Sequence, residues 1–322
     1  MKHRRQRGVA LLVAITIFAI ATMLAATMTY NKAMAARRAA ATFTLEQALQ
    51  AGMAAEGLAD IALENAGSKI TPDQDWAQPL GPVEIEGTGV WIAAQLEDLS
   101  ARFNLNSVVK WDPPTGGFIA DPDQIQVFQR ILRDLDIDER FADYLVDWID
   151  TDIAPYNQGG EDTLYLSQSP PYRPPNTFIT HSSELLALPA FGAANYAKLA
   201  PYVNALPNDT RINVCTGLGL VLDAARNDGQ TEFALEDQAN KTQTGTPAQR
   251  PKGCRVTKAV FSSAIADSAL RAKAEARVEE TSQWFRLRTN IRIGTAEFVL
   301  YSVLLREQGN KVRTVQRSFG SE

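Results

Sequence analysis

The chain has 322 residues, more than one typical domain holds, so we expect a main domain with a second domain or a large insertion. Hydrophobic residues make up 45% of it, which is enough for a folded core, and 32 Lys and Arg against 37 Asp and Glu give a formal net charge of −5. This balance argues against nucleic acid as a partner, because phosphate binding needs a clustered cationic surface. With two cysteines and two histidines, a four-cysteine zinc site and most transition-metal chemistry are excluded.

The amino terminus has the pattern of a membrane-spanning helix. The stretch 9–28 carries no charge and would extend about 30 Å as an α-helix, the thickness of a bilayer core. Lys2, Arg4, Arg5 and Arg7 precede it, and the positive-inside rule then keeps the amino terminus in the cytoplasm and sends the rest of the chain across. A cleaved secretory signal is the competing interpretation, because the alanine-rich stretches that follow could supply a cleavage site.

The helix is predicted to continue well past the apolar run. No Gly or Pro occurs from Val9 to Gln50, and apolar residues recur at three- and four-residue spacings as far as Leu63. Gly67 is placed to end the helix. The sequence therefore predicts one helix over 9–66, half of it in lipid and half of it packed on a globular domain.

Strand patterns lie at both ends of the remaining chain, and helical patterns lie between them. The predicted strands are 90–98, 284–293, 297–307 and 311–318. The predicted short helices are 123–135, 138–149, 182–188 and 193–205. The polar stretch 227–253 is predicted to be a mobile loop. This order favours an α+β fold with a helical insertion.

The leader resembles a known signal. A basic segment that ends in Gly8 directly before a long hydrophobic helix is similar to the prepilin-type signal of type IV pilins and pseudopilins. The resemblance implies that a prepilin peptidase cuts between Gly8 and Val9 and that Val9 is N-methylated. Most members have a Glu at the fifth mature position, where this chain has Val13. The K subunit of the type II (general) secretion pathway departs in the same way, and it is regarded as the tip of its fibre.

Local segments strengthen the resemblance to the K subunit. The segments similar to that family are 98–106 (DLSARFNLN), 144–150 (YLVDWID), 159–162 (GGED), 171–174 (PYRP) and 212–214 (INV). They imply a pilin-like α+β fold, in which a long N-terminal helix packs on an antiparallel sheet and a large α-helical domain is inserted. The implied parts are a leader at 1–8, the helix at 9–66, a pilin-like domain at 67–120 and 207–322, and the inserted domain at 121–206.

The resemblance also implies a function without catalysis, that of a minor pseudopilin in protein secretion across the outer membrane. The implied partners are minor pseudopilins of the I and J types, the major pseudopilin and prepilin peptidase. The implied location is the bacterial inner membrane, with the C-terminal bulk in the periplasm. The alternative is a membrane-anchored extracytoplasmic protein that binds carbohydrate or metal at its surface.

Five carboxylates lie within 16 residues around a glycine-containing loop. A hard cation with six to eight oxygen ligands would neutralise their repulsion, and calcium is the natural candidate; members of the K subunit family bind calcium. Asp147 is expected to face the core or to cap the loop. The predicted ligands are Asp150, Asp152, Glu161 and Asp162. The alternatives are a solvated acidic surface and an acid–base enzyme, for which no sequence pattern identifies a substrate cleft.

Cys215 and Cys254 are predicted to form a disulfide, because this is the usual state of two cysteines in an oxidising compartment. Closing the loop between them would stabilise the fold by roughly 3–4 kcal/mol in the chain-entropy model. Two buried free thiols are the alternative, since compartment and count say nothing about the distance between the two residues.

Overall fold

The computed structural model describes residues 7–243 and 253–320 of the chain. The first element is the helix α1 (Arg7–Glu64), which has 58 residues and is about 87 Å long at 1.5 Å per residue. Its first half is exposed, and it is long and apolar enough to cross a membrane by length and composition. The predicted long helix is therefore confirmed. Residues 1–6 of the expected leader lie outside the described residues.

Short helices and strands follow α1. The other α-helices are α2 (Pro122–Asp134), α3 (Arg140–Ile149), α4 (Asp162–Leu166), α5 (Gly192–Leu199), α6 (Gly219–Arg226), α7 (Glu232–Gln243), α8 (Lys258–Ser263) and α9 (Ser268–Ala276). Short 3₁₀-helices lie at Asp75–Ala77, Leu99–Ala101, Leu105–Val108, Ser182–Ala187 and Ala200–Tyr202. The strands are β1 (Leu80–Ile85), β2 (Val90–Asp98), β3 (Phe103–Asn104), β4 (Val109–Asp112), β5 (Gly117–Ala120), β6 (Val203–Asn204), β7 (Ile212–Asn213), β8 (Val278–Glu279), β9 (Trp284–Ile293), β10 (Ala296–Arg306) and β11 (Val312–Phe319).

A five-stranded antiparallel sheet packs on the second half of α1. Its strand order is β1-β2-β9-β10-β11. The face toward α1 is mainly apolar, with residues such as Leu287, Ile291 and Leu300 at alternating positions. The helix meets it with small residues such as Ala48, Ala51 and Ala55. A Cβ at Gly52 would collide with the Leu300 side chain, so the small residues let the helix approach the sheet closely. The pilin-like α+β fold is confirmed, and of the five strands only β1 is missing from the sequence prediction.

A buried carboxylate fixes α1 on the sheet. Glu56 is 4% exposed and accepts hydrogen bonds from Arg317 Nε and Nη2 at 2.8 and 2.7 Å, from Ser302 at 2.6 Å and from Thr314 at 3.0 Å. Burial raises the pKa of Glu56, but these hydrogen bonds outweigh burial and leave the pKa below its usual value. The charge of Glu56 is thus matched within the sheet.

A second hydrophobic core, separate from the one under the sheet, extends from Phe103 to Val278. We expected the inserted domain at 121–206. The structure extends it on both sides, because apolar side chains of 103–120 and 207–278 pack into the same core. The inserted part therefore holds more than half of the globular chain.

The prediction of a mobile loop at 227–253 is wrong for residues 232–243, because these residues form the helix α7. Phe233 is 4% exposed and stacks on Phe261 with a distance of 6.1 Å between the ring centroids, which is within the range of favourable aromatic pairs. One buried aromatic residue thus ties a polar stretch to the core. Residues 244–252 of the predicted loop lie outside the described residues.

The insertion is attached at one end of the sheet. It begins after Asp98 at the end of β2 and ends before Trp284 at the start of β9, and Asp98 pairs with Phe285 across these strands. The same end of the sheet adjoins the C-terminal end of α1, because Arg306 of β10 donates to the Gly67 carbonyl. The second core therefore lies at the end of the molecule opposite the apolar half of α1.

Asp98 is the centre of a buried network at this junction. It is 4% exposed, and its oxygens accept hydrogen bonds from the backbone N–H of Ser100 (2.8 Å) and from the side chains of Ser282 (2.6 Å), Thr216 (2.5 Å) and Asn213 (3.2 Å). Asn213 also donates to the Ile70 carbonyl at 3.0 Å. Burial raises the pKa of Asp98 despite these hydrogen bonds. The network joins β2, the segment after α1, and both ends of the insertion.

The predicted disulfide is present. Cys215 and Cys254 are bonded, with their Cα atoms 4.5 Å apart. Cys215 is two residues beyond Asn213, whose side-chain oxygen accepts from the Cys215 N–H at 3.0 Å. The disulfide therefore closes the part of the insertion that contains α6 and α7 beside the Asp98 network.

Replacing Asp98 with Ala is expected to lower the free energy of unfolding by about 3 kcal/mol, because four donors around a buried position lose their acceptor. Urea unfolding followed by tryptophan fluorescence measures the loss. Asp98→Asn, which keeps one acceptor oxygen, should lose less, and Asp209→Ala at an exposed position should change little. Equal midpoints for Asp98→Ala and Asp209→Ala would show that the network does not stabilise the junction.

Candidate metal centre

Three buried carboxylates converge between the end of α3 and the start of α4. Asp147 lies in the last turn of α3, Asp150 is the residue that caps its C-terminus, and Glu161 is the residue before α4. One oxygen of each carboxylate lies within 4.8 Å of the others, and the residues are 0%, 2% and 7% exposed. Almost every other residue of α3 is buried too, so packing of the helix carries Asp147 into the interior.

The loop between the two helices folds over these carboxylates. Asp147 Oδ1 accepts a hydrogen bond from the Tyr156 N–H at 2.8 Å. The Gly159 N–H donates to the Tyr156 carbonyl at 2.7 Å, which makes a tight turn. A Cβ at Gly159 would collide with the Asp147 carboxylate. Glycine is therefore required for the loop to lie this close.

Each of the three carboxylates keeps a buried oxygen without a hydrogen-bond partner: Asp147 Oδ2, Asp150 Oδ1 and Glu161 Oε1. Within residues 9–237 and 253–320, whose side chains the structure describes, none of the three forms an ion pair with Lys or Arg. A buried charge without a partner is strongly unfavourable. The cluster is therefore an oxygen-rich site that either takes up protons or binds a cation.

The pKa values of the three carboxylates show that their charged forms are unfavourable in this buried cluster. Burial raises the pKa of Asp147 to about 7, and the charge of Glu161 adds to the effect. Burial and the charges of Asp152 and Asp147 raise the pKa of Asp150 to about 8. Burial also raises the pKa of Glu161. Carboxylate oxygens are the ligands that hard divalent cations prefer, and such a cation would displace the protons. Asp147, Asp150 and Glu161 could hold one.

The predicted ligands fall into two groups. Asp150 and Glu161 lie in the cluster. Asp152 is exposed, and one of its oxygens accepts from the Ala154 N–H at 2.8 Å. Asp162 pairs with Arg173 at 3.4 Å near the surface. The structure therefore places Asp152 and Asp162 outside the cluster of three, although the Asp152 charge still acts on Asp150 and Glu161.

Asp147 is the residue that the predicted ligand set omits. It caps the loop, as one interpretation expected, and it also supplies an oxygen to the cluster. Its two oxygens divide these tasks, since Oδ1 meets Tyr156 and Oδ2 is unpartnered. The three-residue spacing from Asp147 to Asp150 at a helix end is the signal that could have joined them.

Comparison with known proteins identifies the family. The family model for type II secretion system protein K matches residues 101–208. Type II secretion system protein K of Klebsiella pneumoniae is 33% identical over 67% of this chain and 68% of its own length. The Pseudomonas aeruginosa protein K is 29% identical over 99% of this chain and 94% of its own length. A chain in the crystal structure of the GspK-GspI-GspJ complex from enterotoxigenic Escherichia coli superposes with a TM-score of 0.73 at 25% identity, over 88% of this chain and 100% of that chain.

A long apolar helix, the sheet packed on it and a large helical insertion at the far end define a minor pseudopilin with a pilin-like fold. The family match and the structural likeness place it in type II secretion. The chain belongs to the type II secretion system protein K family. The resemblance that the sequence segments indicated is therefore confirmed.

Without divalent cations, the protein is expected to become less stable as the pH rises from 5 to 8.5. Carboxyl groups whose pKa is raised by folding stabilise the fold below their unfolded pKa, near 4, and this contribution is lost as the pH rises through about 7 and 8 for Asp147 and Asp150. Thermal unfolding in chelator over this range measures the effect. The Asp147→Asn, Asp150→Asn double variant should show a flatter profile and greater stability than wild type at pH 8. Parallel profiles for the two proteins would contradict the raised pKa values.

Proposed function

We propose that this minor pseudopilin forms the tip of the type II secretion pseudopilus. Before assembly, the first half of α1 anchors it in the bacterial inner membrane, with the globular part in the periplasm. As the terminal subunit it supports protein secretion across the outer membrane by its shape and contacts. Its role is structural, and this places no demand on a substrate pocket.

The observation that supports the tip position is the place of the insertion. The second core, from Phe103 to Val278, lies at the end of the sheet beyond the C-terminal end of α1. In a fibre of parallel helices that leaves the membrane, this end leads. A further subunit stacked there would meet the insertion instead of a free end of the pilin-like sheet. The insertion thus caps the fibre.

Val13 supports the same position. A Glu at this place in other subunits would be a buried charge that needs a partner in the adjoining subunit. Val13 is apolar and exposed on α1, so this chain makes no such demand on a subunit above it. A tip subunit is the one position in the fibre where that pairing is dispensable.

The proposed partners are minor pseudopilins of the I and J types, by analogy with the GspK-GspI-GspJ complex of Escherichia coli. The major pseudopilin would adjoin this group further down the fibre. Prepilin peptidase would act earlier, by cutting between Gly8 and Val9 and leaving Val9 as the N-methylated first residue. The helix α1 would remain on the mature subunit from Val9 onward, with its uncharged run at 9–28 intact.

Fibres assembled in cells that produce all the pseudopilins are expected to bind a gold-labelled antibody against the insertion at one end only. An antibody against the major pseudopilin should label the whole length as a control. The subunit recovered from these fibres should begin at Val9 and carry one additional methyl group by mass spectrometry. Label along the shaft would refute the tip position, and a mature start within 26–39 would indicate ordinary signal-peptidase processing.

We propose that calcium occupies the cluster of Asp147, Asp150 and Glu161. Three carboxylates with an unpartnered oxygen each offer the hard oxygen ligands that calcium prefers. Bound calcium would compensate the burial and the mutual repulsion of the carboxylates, which together raise the pKa values of Asp147 and Asp150. The loop and α4 would then be held against α3, which makes calcium a structural cofactor of the insertion.

Calcium is expected to raise the melting temperature of protein purified with chelator, because a ligand that binds only the folded state adds about 2.7 kcal/mol at 100-fold excess over Kd. The Asp150→Asn, Glu161→Gln double variant should lose the calcium-dependent shift. The matched Asp152→Ala, Asp162→Ala variant, which removes two carboxylates outside the cluster, should keep it. Calorimetry that detects no binding at millimolar calcium would exclude the proposal.

A further inference from the structure

Charge is strongly segregated along this chain. All 37 Asp and Glu lie after residue 45, whereas the first 45 residues hold seven Lys and Arg. Four of these seven precede the apolar run, and the other three, Lys32, Arg37 and Arg38, follow it on α1. We propose that Lys32, Arg37 and Arg38 form a cationic collar that binds anionic phospholipid headgroups on the outer surface of the membrane. This inference rests on the anchoring of α1 proposed above.

The collar lies at the height of the lipid headgroups. The apolar run ends at Met28, and Tyr30, which is 66% exposed, is an aromatic residue of the kind found at the membrane interface. At 1.5 Å per residue, Lys32 is about 6 Å and Arg38 about 15 Å beyond Met28, and the headgroup layer is about 5–8 Å thick. Side chains on a helix lean toward its N-terminus, which here is the membrane side. The long Arg side chains therefore extend back toward the headgroups.

The three cations surround the helix instead of lining one side. At 3.6 residues per turn, Arg37 lies about 140° and Arg38 about 240° around the axis from Lys32. A partner helix would contact one flank of α1, so a stripe of residues three or four apart would suit it. A membrane surface surrounds a helix that crosses it. The distribution around the axis therefore favours lipid headgroups over a single protein partner.

The cations are free to bind headgroups. Lys32, Arg37 and Arg38 are exposed, and the first acidic residue of the chain, Glu46, is eight residues beyond Arg38. Among the residues whose side chains the structure describes, none of the three takes part in an ion pair. Alanine is the commonest residue between and beside them, so short neighbours leave the long side chains uncovered.

The rest of the chain has the opposite character. Seven of the 32 Lys and Arg lie in 1–45, so residues 46–322 hold 25 of them together with all 37 acidic residues. An anionic membrane surface therefore repels the globular part and attracts the collar. The two forces act at different heights along α1. Together they hold the helix at a defined depth with the globular part clear of the membrane, until the subunit is withdrawn into a fibre.

The test uses the full chain in nanodiscs of phosphatidylcholine, with trace spin-labelled phosphatidylglycerol or phosphatidylcholine as probes. All proteins in this test carry Lys2→Gln, Arg4→Gln, Arg5→Gln and Arg7→Gln, so that the cations before the apolar run do not contribute. Electron paramagnetic resonance then gives the relative association of the two probes with the protein. Since each surface cation contributes about fivefold, we expect a preference for phosphatidylglycerol on the order of fivefold or more. High salt should remove it by screening.

Matched variants distinguish the effect of where the cations lie from the effect of the total charge of the protein. Lys32→Gln, Arg37→Gln, Arg38→Gln should bring the preference to unity, whereas Arg37→Lys, Arg38→Lys should keep it. Lys110→Gln, Lys198→Gln, Lys311→Gln removes the same charge from exposed sites on the globular part and should also keep it. No preference in the protein that keeps Lys32, Arg37 and Arg38, or a preference that survives the replacement of all three in the collar variant, overturns the collar. In that case, if replacing Lys32, Arg37 and Arg38 also prevents the chain from binding other pseudopilins, these cations form a contact with protein and not with lipid.

Flotation of proteoliposomes separates this proposal from the anchoring on which it rests. Wild type and the collar variant should both float with vesicles, because the uncharged run inserts without the collar. A chain that floats but does not select phosphatidylglycerol disproves only the collar. A wild-type chain that stays at the bottom of the gradient disproves membrane anchoring, and the collar with it.

Discussion

The hydrogen bonds of the buried Asp98 are the constraint on which the architecture depends. The sheet and the insertion have separate hydrophobic cores, so the contacts at their junction fix how the two cores lie relative to each other. Asp98 supplies directional contacts at this junction. It accepts hydrogen bonds from Thr216, inside the insertion, and from Ser282, at the C-terminal end of the insertion. Asn213 extends the network to the segment after α1. The disulfide at Cys215 closes the chain beside it. Hydrogen bonds therefore align the two cores.

Three buried acidic sites show three ways to satisfy a carboxylate. Glu56 has a cation, Arg317, and its pKa is lowered. Asp98 has neutral hydroxyl, amide and backbone donors, and burial leaves its pKa raised. The cluster around Asp147 has too few donors for its oxygens. The first two sites are complete within the chain and hold its parts together. The third is incomplete, and for this reason it is the one suited to an added cation.

The helix α1 gives the molecule its polarity. Its first half is apolar and long enough to cross a membrane, and Lys32, Arg37 and Arg38 follow it. Its second half carries the sheet through Glu56 and small residues such as Ala48. The insertion is attached at the end of the sheet that adjoins the C-terminal end of α1. The apolar half of α1 and the insertion therefore lie at opposite ends of the molecule, as the proposed tip position requires. The family's place in type II secretion agrees with this polarity.

The sequence by itself determined the elements whose pattern is local. The long α1, the strands β2, β9, β10 and β11, and the pairing of the two cysteines follow from hydropathy, periodicity and compartment. Tertiary structure decided what depends on distant packing. The burial of Phe233 holds the polar helix α7 on the core. Apolar residues on both sides of 121–206 pack into the same core, so the insertion is larger than the sequence predicted. Because residue 159 is a glycine, the loop lies close against Asp147. In this arrangement the Asp152 side chain is exposed to solvent. A carboxylate's neighbours along the chain do not show which oxygens meet in space, because the fold of the loop sets those distances.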